Sequence, residues 1–475
     1  MIEGVPPRVL KAFEEIRKSE PGYVELKRIK GRYYVYRATS EWLKDEKRNR
    51  KVTRYLGAID MEGVFIPRRQ RRGVQESRLE VFEYGNGALA HHFIKDVGLE
   101  EFTPYWRELM ASAIIRALDP KPLRLLKSRW EKLYLHRAFP ASLSAKTMSS
   151  VLRETGRGVA WWYEFFARLT RRGDLLLYDL TAIFTYSKNI RLAERGYNPD
   201  WEYLDQIGVV LAFSVEDSLP VGVEVYWGSM KDITTLKDFL ERFRGKQIGL
   251  ILDRGFWSEG LLKDLRGRGI SYLAPLRKDS RFLDLRWIRW RRPFSYRGRA
   301  IRWGKRHTEL GTLYIFEDPV LRGEEEAALL RRVEKGEMTM GEFEEKRRVA
   351  GIIGLMSDLD KDGETVYDLY KGKQDVELAF DAMKNSLDAD KTYLQTAEGV
   401  RGYFFVSFLA LRIYFNILKR LREKQLTQKI SVGEVLFELS KIEKIVEPSG
   451  REYFAKIPKR ARKIAAIFPE ALPMG

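Results

Sequence analysis

The stretch 370-YKGKQDVELAFDAMK-384 holds four residues whose types and spacing could do phosphate chemistry. Lys373, Glu377 and Lys384 follow Tyr370 by three, seven and fourteen residues. At about 100° per residue, these offsets predict one narrow stripe on a single helix. Glu377 would hold a divalent cation, while the lysines and the tyrosine would contact the backbone of a nucleic acid. A solvated, charged helix face is the alternative interpretation of the stripe taken alone.

The same stretch carries an apolar stripe on a neighbouring face, which the rest of the fold must cover. This pattern is typical of a helix that packs against a sheet. A sheet is therefore the element expected to position Glu377. The residues of the apolar stripe are Val376, Phe380, Met383 and Leu387.

Two further acids lie in or at the end of apolar strands. Asp179 interrupts the predicted strand 174-DLLLYDLTAIF-184, and Asp253 ends the predicted strand 247-QIGLILD-253. Burying a carboxylate is costly unless it has a cation or a hydrogen-bond donor. The alternatives are a capping or salt-bridged acid at Asp179 and an ordinary acid before a turn at Asp253.

Asp179, Asp253 and Glu377 together would form a set of oxygen ligands. The chain has no cysteine and four histidines, which excludes disulfides, zinc fingers and thiol nucleophiles and favours a hard cation. The set predicts two Mg²⁺ ions, with Mn²⁺ as the alternative. One ion would activate a water or a 3′-hydroxyl, and the other would stabilise the leaving oxygen of a phosphodiester.

Two other acids compete for roles near this set. Asp381 lies about one turn beyond Glu377 and could take its place. Asp232 stands where a strand gives way to a helix, and we interpret it first as a helix cap and second as a site residue.

The charge balance predicts a polyanionic partner. Lys and Arg number 86 against 67 Asp and Glu, giving a net charge of +19 and a pI near 9.7. No apolar run approaches the roughly 20 residues of a membrane span, and the N-terminus lacks the layout of a signal peptide. We therefore expect a cytoplasmic, nucleoid-associated protein whose partner is nucleic acid and not a membrane.

The order of predicted elements defines the fold class. From residue 174 the pattern reads three strands, then helix, strand, helix and strand. This order predicts an α/β fold with a ribonuclease H-like catalytic core, in which helices flank a mixed sheet. A β-rich insertion, an N-terminal small β unit and a helical domain complete the prediction.

Changes of pattern along the chain predict six segments. The first is a candidate for binding DNA ends, and the Arg-rich run that contains Arg69, Arg71 and Arg72 adds positive charge to it. The segments are a small basic β domain (1–80), a helical domain (81–172), the first part of the core (173–280), the β-rich insertion (281–349), the second part of the core (350–425) and a basic helical C-terminal region (426–475).

With these residues in place, the chain resembles the DDE transposases of prokaryotic insertion sequences, of the insertion-sequence-four-like group. The signature of that group is Tyr, two residues, Arg, three residues, Glu, six residues and Lys. Here it is matched by Tyr370, Lys373, Glu377 and Lys384. The departure is Lys373, which contacts phosphate as a point charge and lacks the bidentate fork of arginine.

The resemblance covers about residues 174–425 and extends to both aspartates. Asp179 in 178-YDLTAIFTYS-187 matches the first acid of the group, and Asp253 in 252-LDRGF-256 matches the second. The resemblance implies that the three acids are catalytic and hold the metal ions. It also implies that Tyr370, Lys373 and Lys384, with Arg254 beside the second acid, contact the DNA.

The insertion of this group places aromatic residues near the cleavage site, where a flipped base can stack. Trp287, Trp290 and Trp303 lie in a very basic run and are expected to bind DNA in this way. The alternative for each tryptophan is the core of a small sheet.

The activity implied is cut-and-paste DNA transposition. Such an enzyme binds double-stranded DNA with terminal inverted repeats, cleaves it by two-metal hydrolysis and inserts it into target DNA by transesterification, as a homodimer in the synaptic complex. Two alternatives stay open: a ribonuclease H-like nuclease or resolvase without strand transfer, and a domesticated DNA-binding protein.

Overall fold

The computed structural model describes most of the chain, in two compact units. One unit comprises Met1–Leu79 with Glu447–Gly450, and the other comprises Glu80–Val446 with Arg451–Gly475. The described residues are 4–43, 48–68, 79–185, 190, 192–194, 205–229, 232–242, 247–387, 391–392 and 394–472.

The smaller unit is a four-stranded antiparallel sheet with one helix. Its elements are α1 (Pro7–Ser19), β1 (Tyr23–Ile29), β2 (Arg32–Leu43), β3 (Arg48–Ile59) and β4 (Phe65–Pro67), and the strands are ordered β1-β2-β3-β4.

Strands β1 and β2 form a hairpin whose turn lies at Lys30 and Gly31. Lys30 and Gly31 have φ angles of 46° and 80°. Two successive positive φ angles define the tight turn whose twist matches that of paired strands.

The larger unit contains the remaining elements. From its start to the middle of the sheet they are β5 (Glu80–Glu83), α2 (Gly85–Ile94), α3 (Trp106–Leu118), α4 (Leu126–Trp130), α5 (Leu135–Ala138), α6 (Ala145–Arg157), α7 (Val159–Leu169), β6 (Asp174–Thr185), β7 (Asp205–Ser214), β8 (Leu219–Trp227), α8 (Asp232–Arg242), β9 (Ile248–Ile251), α9 (Glu259–Gly267) and β10 (Ser271–Pro275). They continue with β11 (Phe294–Tyr296), β12 (Arg299–Thr308), β13 (Gly311–Glu317), α10 (Pro319–Glu334), α11 (Met340–Arg347), β14 (Ile352–Ser357), α12 (Gly363–Lys371), α13 (Gln374–Asp381), β15 (Lys391–Thr392), α14 (Ala397–Glu423), α15 (Val432–Ser440), β16 (Glu443–Val446), β17 (Glu452–Phe454) and α16 (Lys459–Ala465).

A ten-stranded mixed sheet runs through the larger unit. Its order is β11-β12-β13-β14-β10-β9-β6-β7-β8, with β15 pairing to β6. β6, β9 and β10 are parallel to one another, whereas β7 runs antiparallel to both β6 and β8. The predicted order of three strands followed by alternating helices and strands is therefore observed, and the mixed α/β class is confirmed.

The segment predicted as a β-rich insertion extends this same sheet. Strands β11, β12 and β13 join it through antiparallel pairing of β13 to β14. Two helices, α10 and α11, lie in the same stretch of sequence, so it is mixed in character.

The long helix α14 is largely buried, as its aromatic composition predicted. It packs against β8 and against helices α3 and α6. No helix among the described residues is long and apolar enough to cross a membrane.

The C-terminal region is not purely helical, which corrects the sequence prediction. Strand β16 pairs with both β17 and β5, so two strands from this region form a three-stranded sheet with the start of the larger unit. These strands have three or four residues each, too few for an alternating pattern to identify.

The crossing of α14 and α6 depends on glycine. A Cβ added at Gly402 would lie 2.1 Å from the carbonyl oxygen of Leu152. We expect Gly402→Ala to lower the free energy of unfolding by about 3 kcal/mol, because a helix backbone cannot move aside as a flexible side chain can. Chemical denaturation measures this change.

Gly433 in α15 supplies the control. No atom lies within 4 Å of a Cβ built there, so Gly433→Ala should leave stability unchanged or raise it by about 0.5 to 1 kcal/mol. Equal stability of the Gly402→Ala variant and the wild type would contradict the close helix contact.

Candidate active site

Parallel pairing places Asp179 and Asp253 side by side, where the chain leaves the end of β9 next to the middle of β6. Leu177 of β6 is paired with Ile251 of β9, and each aspartate lies two residues further along its chain. Side chains two residues apart on a strand point to the same face. The carboxyl ends of adjacent parallel strands are also a common position for sites in α/β folds.

Asp179 is a carboxylate in a largely buried position. Its Oδ1 accepts a hydrogen bond of 2.9 Å from the backbone N–H of Leu180. Burial raises the pKa of Asp179 to about 6, Lys373 lowers it, and the charges of Asp253 and Glu377 raise it. The charges of the other two acids therefore both reach Asp179.

The predicted single helix over 370–384 is wrong, because two changes of helix type divide it. Gly372, a residue of low helix propensity, ends α12, and Lys373 N–H bonds to the Tyr370 carbonyl in a tight 3₁₀ turn before α13 begins. A π-helical turn then follows over Ala382–Ser386, where Leu387 N–H bonds to the Ala382 carbonyl.

The apolar stripe of this segment is buried as predicted. Helix α13 lies against β6 and β7. This packing fixes Glu377 on the side of the helix that faces the two aspartates. The buried side chains are Val376, Phe380, Met383 and Leu387.

Lys373 is the cation at the centre of the acids. Its Nζ lies 2.5 Å from Oδ1 of Asp253 and 3.6 Å from Oε1 of Glu377. Burial acts to lower the pKa of Lys373, but the hydrogen bond to Asp253 and the charges of Asp253, Asp179 and Glu377 raise it above its ordinary value. The ammonium therefore stays charged and partly neutralises the acids.

Tyr370 and Arg254 border the same cluster. Burial raises the pKa of Tyr370, Lys373 and Arg254 lower it, and the neighbouring acids raise it. Arg254 is exposed in the 3₁₀ turn that follows Asp253. Lys384 lies half-buried in the π-helical turn, so its seven-residue spacing from Glu377 does not correspond to two regular α-helical turns.

The chemistry of the cluster fits a divalent cation. Three carboxylates offer the hard oxygen ligands that Mg²⁺ and Mn²⁺ prefer. Within the described ranges no three acidic or histidine side chains converge closely enough to hold a metal ion as they stand. The ammonium of Lys373 lies between two of the carboxylates and supplies the positive charge that a metal ion would otherwise supply there. Metal binding would require this lysine to move away.

The two competing acids lie in different settings. The Oδ1 of Asp381 accepts a hydrogen bond of 2.7 Å from the Asn385 amide, and the side chain is exposed. Glu377, and not Asp381, contacts Lys373. Asp232 is the first residue of α8, and its side chain falls outside what the structure describes.

Each of the three tryptophans in the extended part of the sheet has an arginine over its ring. The guanidinium carbon of Arg306 lies 4.1 Å from the ring centroid of Trp287. That of Arg302 lies 4.8 Å from the ring centroid of Trp290. Trp290 is 38% exposed, the most accessible of the three. Its ring is the one best placed to meet a ligand.

Trp303 is part of the packing instead. A Cβ added at Gly363 would come within 2.3 Å of the Trp303 ring, and the ring stacks at 6.5 Å on Tyr314. Arg291 lies 5.1 Å from the same ring. The arginines predicted to contact DNA at positions 69, 71 and 72 (Arg69, Arg71 and Arg72) lie outside the described residues.

The sequence did not identify a basic cleft next to Lys373. Arg297, in the turn between β11 and β12, donates a hydrogen bond of 3.3 Å to Gln374 at the start of α13. Lys371 and Arg422 line the same cleft. The pair Arg297-Gly298 could have predicted the turn that carries Arg297, since an X-Gly pair commonly connects two short strands.

A protein-family model matches the part of the chain that carries this site. The model of the family described as "Transposase DDE domain" matches residues 175–413, a little over half of the chain and a span that includes all three acids. The chain therefore belongs to the transposase DDE domain family. No curated protein matches it in sequence.

Two solved structures align with this chain at low similarity. The piggyBac transposase in a synaptic complex with hairpin DNA is 12% identical, with a TM-score of 0.35 over 75% of this chain and 77% of that one. The Mos1 transposase in a paired-end complex with the left transposon end is 12% identical, with a TM-score of 0.15 over 34% of this chain and 56% of that one.

The raised pKa of Asp179 predicts a cost in stability at neutral pH. The folded-state pKa of about 6 lies above the ordinary aspartate value of 3.8. The folded state therefore binds the proton more tightly, and the free energy of unfolding falls as pH rises from about 4 to 6. Asp179→Asn should raise the free energy of unfolding at pH 7 by about 2 kcal/mol, discounted for partial exposure. It should also flatten the pH dependence in that window.

Denaturation of both proteins in chelator at pH 4 and pH 7 makes the measurement. At pH 4 the two stabilities should nearly coincide. A variant less stable than wild type at pH 7 would contradict the account, because Asp179 would then be a net stabilising group.

Proposed function

We propose that this chain is a DNA transposase that cleaves DNA at the ends of an element and joins them to a target. The observation that carries the proposal is that Lys373 pairs with both Asp253 and Glu377, and that the charges of all three act on Asp179 in the mixed sheet. Structural acids are usually paired singly with a cation, whereas here one lysine pairs with two carboxylates and its charge also acts on a third. Such an excess of negative charge is typical of a site built for metal ions.

The strand order supports a ribonuclease H-like core. Five of its strands lie in the order β8-β7-β6-β9-β10. β6 and β9 are parallel, and β7 runs antiparallel to β6, which is the arrangement expected for such a core. It brings the first two acids to neighbouring strands, and α13 supplies the third from above the sheet.

The three acids would hold two Mg²⁺ or Mn²⁺ ions. When bound, the ions would activate a water or 3′-hydroxyl and stabilise the leaving oxygen of the phosphodiester. Lys373 would give up its contacts to Asp253 and Glu377 and turn to the DNA backbone. Its ammonium is charged over the whole working range of pH, because the pKa is raised. Freed from the acids, it can bind a phosphate.

The DNA would run along the exposed surface beside the acids. Arg254 and Lys384 would contact the backbone, and Tyr370 would position it through its hydroxyl. Trp290, exposed and beside Arg302, is the ring best placed to stack on a flipped base. Double-stranded terminal inverted repeats would be the substrate, held in a synaptic complex by a homodimer.

Glu377→Gln tests the proposal. The substitution keeps the shape of the side chain and removes its charge, so cleavage of a duplex that carries the element's terminal repeat should fall by at least about 10³-fold. DNA binding without divalent cations should change by less than about threefold. Cleavage is measured on gels with labelled duplexes, and joining is measured by capture in a plasmid.

Asp381→Asn is the matched control. This acid lies about one turn beyond Glu377, and its side chain accepts a hydrogen bond from Asn385. The variant should cleave at the wild-type rate. Cleavage at the wild-type rate by Glu377→Gln would overturn the assignment of the third acid. If Asp381→Asn then loses cleavage, Asp381 is the third acid instead.

A further inference from the structure

The sheet of the smaller unit has one face covered by its helix and one face that is not. The covered face forms a small core around α1. Its buried residues are Val9, Ile16, Val24, Tyr33, Val35 and Ile59. The opposite face, here called the tyrosine face, carries the alternate side chains of the same strands.

Three tyrosines form the middle of the tyrosine face. The ring centroid of Tyr55 lies 6.0 Å from that of Tyr34 and 5.4 Å from that of Tyr36, and both pairs are tilted. All three side chains are half-buried, so their ring faces are partly open to solvent. Together they form a row across β2 and β3.

Two further aromatic side chains on these strands are more exposed than the three tyrosines of the row. Tyr23 of β1 is 62% exposed and pairs with Ala38 of β2. Trp42 lies six residues beyond Tyr36 on β2, an even spacing that puts both on the same face, and it is 59% exposed. Aromatic rings this accessible on a strand contribute little to the fold, because most of their apolar area stays in water.

Positive charge surrounds these rings. The Nζ of Lys27 lies 4.9 Å from the ring centroid of Tyr36. Burial and the neighbouring tyrosines raise the pKa of Tyr55, and the charge of Arg68 acts against them. Glu25 is an acid on this face, and both Lys27 and Lys51 pair with it. Residues 1–79 contain 20 Lys and Arg against 11 Asp and Glu, so about a sixth of the chain holds nearly half of the net charge of +19.

Open rings framed by cations on a sheet fit one kind of ligand. Every nucleobase has a flat face that stacks on an aromatic ring, and the phosphates between bases meet the cations. In a regular duplex the bases are already stacked on each other, so the rings can reach only bases that are unpaired. A protein partner would match the apolar rings but not the positive frame.

We propose that the tyrosine face binds DNA bases that are unpaired, in a single strand or at an opened duplex end. This inference rests on the proposed function, since cleavage at the ends of an element produces such DNA. It assigns the smaller unit a binding mode by ring stacking, independent of the carboxylate site. The central contacts are those of Tyr34, Tyr36 and Tyr55, with Tyr23 and Trp42 extending the path.

Fluorescence anisotropy with the full-length chain tests the proposal in chelator, where cleavage cannot occur. The probe is a labelled oligothymidylate of about 20 nucleotides, compared with a blunt duplex of the same length. Tyr36→Leu with Tyr55→Leu should weaken binding to the single strand about tenfold and to the blunt duplex less than about twofold. The paired Phe variant keeps the rings and should bind within about twofold of wild type.

Three controls keep the result interpretable. Tyr453→Leu removes an exposed tyrosine beside Arg451 in the larger unit and should leave affinity unchanged. Tyr23→Leu with Trp42→Leu changes rings that pack little, so it should fold normally and weaken single-strand binding about fivefold. The slope of affinity against salt should stay as in wild type for all ring variants, because phosphate contacts are untouched.

Wild-type affinity of the folded Leu variants for the single strand would overturn the inference. If the wild type cleaves and joins duplex ends yet does not bind the oligothymidylate, the inference fails and the proposed function stands. If the wild type binds the oligothymidylate through these rings but does not cleave duplex ends, the proposed function fails alone. A change of oligomeric state in the Leu variants with unchanged affinity would assign the face to a second copy of the chain.

Discussion

The ion pair between Lys373 and Asp253 is the contact on which the active-site region depends. Three carboxylates lie together, and one of them, Asp179, is largely buried. Burying like charges together is unfavourable unless a cation is present. A lysine from the helix segment supplies that charge, and it does so with a side chain long enough to leave again. The lysine therefore stabilises the acids in this structure, and under the proposed function it would leave them to a metal ion.

The rest of the larger unit serves to hold these groups in register. Parallel pairing of β6 with β9 sets the two aspartates side by side, and the apolar stripe of α13 fixes Glu377 against them. The helix segment changes type twice within fifteen residues, at the 3₁₀ turn before Lys373 and at the π-helical turn that contains Lys384. Such departures from regular helix geometry are concentrated at functional positions, where they redirect side chains.

The sequence predicted the strands of the sheet and the buried face of α13 well, because both depend on local pattern. Asp179 and Asp253 stood out as charges in or beside apolar strands, and the apolar stripe from Val376 to Leu387 is buried as its spacing required. Helix type was not predictable, since one hydrogen bond distinguishes a 3₁₀ or π turn from an α turn. The cleft formed by Arg297, Lys371 and Arg422 also escaped prediction, because its members are distant in sequence and meet only through tertiary packing.

The central claim is that the three acids form a single cation-binding centre, and Mn²⁺ binding to the DNA-free, full-length chain tests it most directly. Titration calorimetry should detect binding to the wild type, and the affinity should fall at least about tenfold in Asp179→Asn and in Asp253→Asn, because each removes one oxygen ligand. Asp381→Asn should bind as the wild type does. Equal Mn²⁺ affinity in the wild type, Asp179→Asn and Asp253→Asn would contradict the account.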